Sequence, residues 1–253
     1  MNIIADLHTH SIASGHAYST LMENISFARK KGLQILGTSE HAPALDDAPT
    51  ETFFQNLKVV DKEWRTLKVL HGVELNILNE YGDVDLSDDT LSELDYAVAS
   101  LHCPVFPKGR RALCTEAAIS VMSNPYVYIL GHPDDDLMPL DYEALVLAAK
   151  HYNIALEVNN SSLCPGSFRI GAADNYRRML KLVKKIEAPI VVSSDSHICY
   201  DIGNFTRALA LLDELEFPEE LVVNSSQNRL NNFWENRKSV ALAESKKRLL
   251  YAV

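Results

Sequence analysis

The chain has only four cysteines in 253 residues, Cys103, Cys114, Cys164 and Cys199, and none of them forms a C-x-x-C pair. A protein of this length has no need of a disulfide framework, so reduced thiols are expected. No apolar run approaches the roughly 20 residues needed to span a bilayer, which excludes a membrane span. The opening Met-Asn-Ile-Ile-Ala-Asp lacks the basic and apolar blocks of a signal peptide, and a cytoplasmic protein is the expectation. A basic stripe is missing as well: 24 Lys and Arg are scattered among 34 Asp and Glu, for a net charge of -10. Such a chain repels phosphate backbones, so nucleic acid is not an expected partner. With no linker, low-complexity segment or repeat visible, residues 1–253 are read as a single domain.

What is present is alternation. Short β-rich runs at 2–6, 34–39, 68–75, 95–100, 127–130, 153–158 and 189–194 predict seven strands. Between them, segments 20–31, 51–67, 112–123, 141–151 and 173–186 repeat apolar residues three and four apart and predict helices, and the chain reads as helical after Asp201. Thr20 with Glu23 forms a capping-box pattern, and Lys30-Lys31-Gly32 marks where that helix stops. Repeated β-α alternation implies parallel strands buried on both faces, as an open doubly wound sheet or a closed barrel; seven strands favour the barrel.

Nearly every strand ends in a side chain able to bind metal. His8 and His10 follow the first, His41 the second, and Glu74 lies on the third; His102, His132, and Asp195 with His197 follow, and the sixth strand is the exception. In a parallel barrel the strand C-termini meet at one rim, so with His16 these seven histidines and two carboxylates are expected to share a pocket. The pairs spaced by two, His8 with His10 and Asp195 with His197, project to one side of an extended segment. Imidazole with carboxylate suits zinc, manganese or iron, whereas a calcium or magnesium cage is built mainly of oxygen.

A lone histidine beside a strand is more often a hydrogen-bonded core or surface residue than a ligand. That reading is kept for His71, inside Val-Leu-His-Gly-Val, and for His151, at a helix C-terminus where the dipole favours a cation. Cys103 and Cys199 neighbour ligand positions, but alternation points them elsewhere, and small core residues are expected.

These residues resemble the PHP family, named for its polymerase and histidinol phosphatase members. Asp-Leu-His-Thr-His at 6–10 is similar to its first motif, Ser39-Glu40-His41 to its second, Gly72-Val73-Glu74 to its third and Ser194-Asp195-Ser196-His197 to its last. The strings beginning at His16, Gly131 and Leu156 resemble the YcdX-type phosphatase subgroup. The resemblance runs from Met1 to about Arg237, with Glu40 standing where the family commonly has Asp and with a more basic loop at 107–111. It implies a distorted seven-stranded (β/α) TIM-like barrel, three divalent ions per chain, zinc before manganese or iron, and a homotrimer. It also implies that His8, His10, Glu74 and Asp195 hold the first ion, that Glu74 bridges to a second held by His102 and His132, and that His16, His41 and His197 hold the third.

Several cations in one pocket suit a phosphate. The expected activity is therefore a phosphatase acting on a small monoester, with a hydroxide shared by two ions attacking in line and Glu74, Asp195 and His197 as catalytic residues. Arg169, Arg110, Asn160 and Ser161 lie where they can hold the substrate. Asp134 is a candidate proton donor, although Asp134, Asp135 and Asp136 read more simply as residues that cap or solvate a loop. The alternatives are a phosphodiesterase or exonuclease acting on nucleotides or DNA ends, a histidinol phosphatase, and a regulatory metal-binding barrel, which would need closed coordination shells.

Overall fold

The computed structural model describes residues 1–251, with side chains through Lys246. Seven parallel strands, β1 (Ala5–Asp6), β2 (Ile35–Thr38), β4 (Leu67–Asn76), β5 (Tyr96–Ser100), β6 (Val127–Leu130), β7 (Ala155–Asn159) and β8 (Ile190–Ser193), pair in that order. A short β3 (Glu63–Trp64) pairs antiparallel with β4. The result is a distorted TIM-like α/β barrel, nearly closed, as the alternation predicts.

Closure is made by a side chain as well as by backbone. At the top of the seam Asp195 N–H donates to His8 O at 2.9 Å and His10 N–H to Ser196 O at 2.8 Å. Lower down, where β1 and β8 diverge, Asn224 fills the gap. Its amide nitrogen donates to Ala5 O at 2.8 Å and Val192 O at 2.7 Å, and its oxygen accepts Val192 N–H at 3.2 Å. An amide has the donors and acceptor to replace a missing ladder rung.

Around the barrel run α1 (Leu21–Lys30), α2 (Glu51–Gln55), α3 (Asp88–Ser92), α4 (Arg111–Val121), α5 (Tyr142–Tyr152), α6 (Ala172–Ile186) and α7 (Thr206–Glu214). The Thr20–Glu23 capping box is formed in both directions, with Glu23 N–H donating to Thr20 Oγ1 at 3.2 Å and Thr20 N–H to Glu23 Oε2 at 2.8 Å. The helix expected over 51–67 is instead the five-residue α2, a 3-10 turn at Leu57–Val59, and β3. A reversal at Arg65, with φ +61°, folds this last piece back on β4 as a hairpin, so edge pairing overrides the helical period.

Two buried apolar clusters result. One lies between the strands and the surrounding helices; the other fills the barrel and is closed below by α8 (Gln227–Tyr251), through Leu230, Phe233 and Trp234. Arg237 of the same helix, 1% exposed, donates to Val127 O at 2.7 Å, to Tyr152 O and Met122 O at 3.1 Å, and to Asn124 O. No helix among the described residues is long and apolar enough to cross a membrane.

Candidate metal centre and its cavity

The buried carboxylate of Glu74, on β4, is where the strand ends converge. Its Oε2 lies 3.3 Å from His8 Nε2, 3.6 Å from His10 Nε2 and 2.7 Å from His41 Nδ1, while Oε1 lies 3.2 Å from His102 Nε2 and 2.8 Å from His132 Nε2. Asp195 Oδ1 stands 3.6 Å from His8 Nε2 and 3.3 Å from His10 Nε2. His16 stacks on both His41 and His197 with ring centroids 4.9 Å apart. The structure thus brings all nine positions together at the C-terminal ends of the strands, where barrel sites form.

Burial here is not matched by hydrogen bonding. His8 Nε2, His10 Nε2, His41 Nδ1 and Glu74 Oε2 are buried with no hydrogen bond of acceptable geometry, the 2.7 Å approach of His41 Nδ1 to Glu74 Oε2 included, whereas buried polar atoms are normally paired. His41 Nε2 faces His16 Nε2 at 3.2 Å, while in His8, His10, His16 and His102 one ring nitrogen is anchored to oxygen. His8 Nδ1 donates to Glu157 Oε1 at 2.7 Å, His102 Nδ1 to Asn76 Oδ1 at 2.7 Å, His16 Nδ1 to Asp47 Oδ2 at 2.9 Å, and His10 Nδ1 to Ser14 Oγ at 3.2 Å. The Ser14 hydroxyl spends its own proton on Glu40 Oε2 at 2.6 Å, which makes it the acceptor. One nitrogen tied outside and the other aimed inward is the arrangement of metal-ligating imidazoles.

The inward atoms form four groups, each within 4.8 Å: His8, His10 and Asp195; His8, Glu74 and His132; His41, Glu74 and His102; and His10, His41 and His197. His8, His10, His41 and Glu74 each belong to two groups, so the centre is one connected cluster. Its donor set fits zinc, manganese or iron.

The electrostatics divide these ligands. Burial opposes charge on His8 and His41, yet the carboxylates around them raise His8 well above the usual imidazole value and raise His41, so a cation would displace protons there. Glu74, Asp195, His10 and His132 are held in metal-binding form. Burial opposes charge on Glu74 and Asp195, yet the surrounding histidines, with Arg169 beside Asp195, keep both carboxyls well below the usual range. Burial and the neighbouring His41 and His197 keep His10 well below the usual imidazole value. His132 is pushed down to about 4 by burial and Arg169. Anionic oxygens and neutral imidazole lone pairs are what a cation requires. His132 and Asp195 also have left-handed backbones, φ +27° and +53°, an unfavourable conformation for either residue that turns the chain as it leaves the strand.

Glu157 is the residue that sequence reasoning missed, on the strand taken to lack one. It is fully buried, and its second oxygen accepts His132 N–H at 2.7 Å. The available signal was an acidic side chain inside an apolar strand buried on both faces. Asp134 departs from the loop-capping expectation: it is buried, and burial, opposed by Arg169, pushes it up to about 7. Asp135 does cap its loop, accepting Leu137 N–H at 3.0 Å, whereas Asp136 accepts from Asn175 Nδ2 of α6 at 2.8 Å, 39 positions away. His71 is buried in β4, with its N–H on Asp95 at 2.8 Å, and His151 is exposed at the end of α5; both lie outside the cluster. The four cysteines are free and belong to none of the ligand groups.

A cavity of about 810 Å³ opens above the centre and is lined in part by Arg169, Asn160 and Ser161. Arg169, its side chain 8% exposed, donates to Asp195 Oδ2 at 3.1 Å and Ser162 Oγ at 3.0 Å. Asn160 Oδ1 is engaged with Arg207 N–H and Ala208 N–H at the start of α7. Arg110 is exposed ahead of α4 and does not line the cavity; Lys108, from the same basic loop, does.

A barrel with a buried imidazole and carboxylate centre at its C-terminal rim has the donor set of a metal-dependent enzyme. The PHP domain profile matches residues 6–161, and the chain belongs to that family. It is 40% identical over 237 residues to a "Probable phosphatase" of Clostridium novyi, covering 94% of this chain and 96% of that one. It is 41% identical over 230 residues to another from Clostridium acetobutylicum, covering 91% and 93%. The chain is accordingly a phosphoric ester hydrolase. In fold it is similar to the crystal structure of histidinol phosphate phosphatase from Lactococcus lactis complexed with zinc, L-histidinol and phosphate, with TM-score 0.61, 17% identity, and 86% and 95% of the two chains covered.

Proposed function

We propose that this protein is a metal-dependent phosphatase of small monoesters, with three divalent ions in the Glu74 cluster. His8, His10 and Asp195 would hold one ion and His102 with His132 a second, Glu74 reaching both, and His16, His41 and His197 would hold the third. Zinc is the first choice, with manganese or iron able to use the same donors. Bound divalent ions supply Lewis acidity toward phosphoryl oxygens and a nucleophile at neutral pH. The single observation that carries this reading is the set of buried, unpartnered ligand atoms around Glu74.

The chain's own residues do the rest. Arg169 lies at the cavity wall with Nη1 held by Asp195 and Ser162, and its remaining N–H groups would donate to non-bridging oxygens. Water oxygen adds to phosphorus, the ester P–O bond breaks with its electron pair on the leaving oxygen, and that oxygen takes a proton to give alcohol and inorganic phosphate. The size of the cavity, in the range that encloses a small ligand, supports a small ester over a DNA end. The whole chain is read as one cytoplasmic domain.

Metal analysis of purified protein should return more than one equivalent of zinc, manganese or iron per chain, and phosphate release from monoesters should vanish in Glu74→Gln. Metal-free protein with full turnover, or a Glu74→Gln variant of near-normal activity, would remove this reading.

A further inference from the structure

The 3-10 turn Ile12–Ser14 folds back behind the centre and sets a hydroxyl against a carboxylate. Ser14 and Glu40 are both buried, and neither is one of the nine ligand positions. Glu40 Oε2 accepts from the Ser14 hydroxyl at 2.6 Å and from Ser11 N–H at 2.9 Å, and Oε1 accepts from the same N–H at 3.1 Å. Ser14 Oγ in turn accepts from His10 Nδ1 at 3.2 Å and from His41 N–H at 3.1 Å. A hydroxyl has one proton and two lone pairs, so Ser14 is fully used. Between them His10 and His41 belong to three of the four ligand groups.

The direction of this chain of bonds is set from the Glu40 end. A carboxylate only accepts, so the Ser14 proton points to Glu40 and its lone pairs point away. His10 Nδ1 must then be the donor, which leaves Nε2 as a lone pair facing the centre. The other tautomer has an acceptor available, because Asp195 Oδ1 stands 3.3 Å from His10 Nε2. A proton held there would block the ligand atom. In that tautomer Nδ1 becomes an acceptor, and Ser14 can serve it only by giving up the charge-assisted bond to Glu40.

We propose that Glu40 is a positioning residue of the metal centre: acting only through Ser14, it keeps the His10 proton on Nδ1 and Nε2 open to a cation. This rests on the metal-centre reading above. An amide at position 40 removes the bias, since it can donate to Ser14 as well as accept from it and the hydroxyl is then free to turn.

The test reads the proton directly. In metal-free protein with nitrogen-labelled histidine, long-range proton–nitrogen NMR correlations, assigned by their loss in His10→Asn, should show the His10 ring as the Nδ1–H tautomer. Glu40→Gln and Ser14→Ala should each shift it toward Nε2–H. Zinc affinity, from competition with a chelator, should fall about 10- to 100-fold in either variant. Because the effect runs through one hydroxyl, the double variant should bind no more weakly than Ser14→Ala alone. An Nε2–H ring in the wild type overturns the proposal without any variant. So does an unchanged tautomer or affinity in folded Glu40→Gln, which is the result of a purely structural role, or a further fall when Glu40→Gln is added to Ser14→Ala. Wild-type protein that binds no zinc, manganese or iron removes the metal-centre reading itself.

Discussion

Glu157 Oε1 accepts the His8 Nδ1 proton at 2.7 Å with neither side chain exposed to solvent, and Glu157 Oε2 accepts the backbone N–H of His132 at 2.7 Å. One carboxylate therefore orients two residues of the cluster from behind. It holds the His8 ring by Nδ1–H so that Nε2 faces the centre, and it ties down the left-handed turn at His132.

Glu157→Gln should keep the shape but lose the charge and one of two acceptor oxygens. Metal affinity, measured by competition with a chelator, should fall about 10- to 100-fold, the usual loss when an outer partner of a ligand is removed. Wild-type affinity in a folded Glu157→Gln protein would show that Glu157 does not position the ligand.

Gly131 lies where a Cβ would sit 2.2 Å from Ser100 Oγ, and Ser100 Oγ donates to Glu74 Oε1 at 2.7 Å. Gly131→Ala should cost about 1 to 3 kcal/mol in chemical denaturation through overpacking, and should reduce phosphate release by displacing Ser100 from Glu74. Adding Ser100→Ala should recover part of the stability. Simple additivity of the two changes would locate the strain elsewhere.

Asn224 supplies the rungs that β1 and β8 do not form with each other. Asn224→Ala strips partners from Ala5 O, Val192 O and Val192 N–H, all buried, and should destabilise the fold by about 2 to 4 kcal/mol. Hydrogen exchange should accelerate first in β1 and β8. Unchanged protection in those two strands would mean the seam closes without Asn224.

Arg237 serves four backbone carbonyls with one guanidinium. Arg237→Ala should cost about 3 to 5 kcal/mol, and Arg237→Lys should rescue little of it because an ammonium cannot reach the same fork of acceptors. Full rescue by Lys in urea unfolding would argue for charge over geometry.

Chelation should lower the melting temperature, since a cation that binds only the folded chain stabilises it by mass action. The gap between metal-loaded and stripped protein should narrow as pH falls, because protons compete for the imidazoles. A pH-independent gap would disconnect the histidines from the metal.

The alternation of strands and helices, the capping box at Thr20 and the placing of histidines just past strand ends were legible in the sequence. Each is a local pattern, set by side-chain periodicity or by spacing along one element. The split of segment 51–67 was not, because a hairpin with β4 competes with helical period and only the paired partner decides between them. Glu157 and Asn224 were silent for a related reason: their roles come from partners that are distant in sequence, His8 being 149 positions from Glu157. Lys108 rather than Arg110 reaches the cavity because the path of one loop decides which cation turns inward. The sequence by itself determined which chemistry the strand ends bear, through residue type and period. Tertiary structure alone decided which atoms meet, which of them are left without a hydrogen bond, and what kind of surface surrounds them, because those depend on distances between segments that no local pattern encodes.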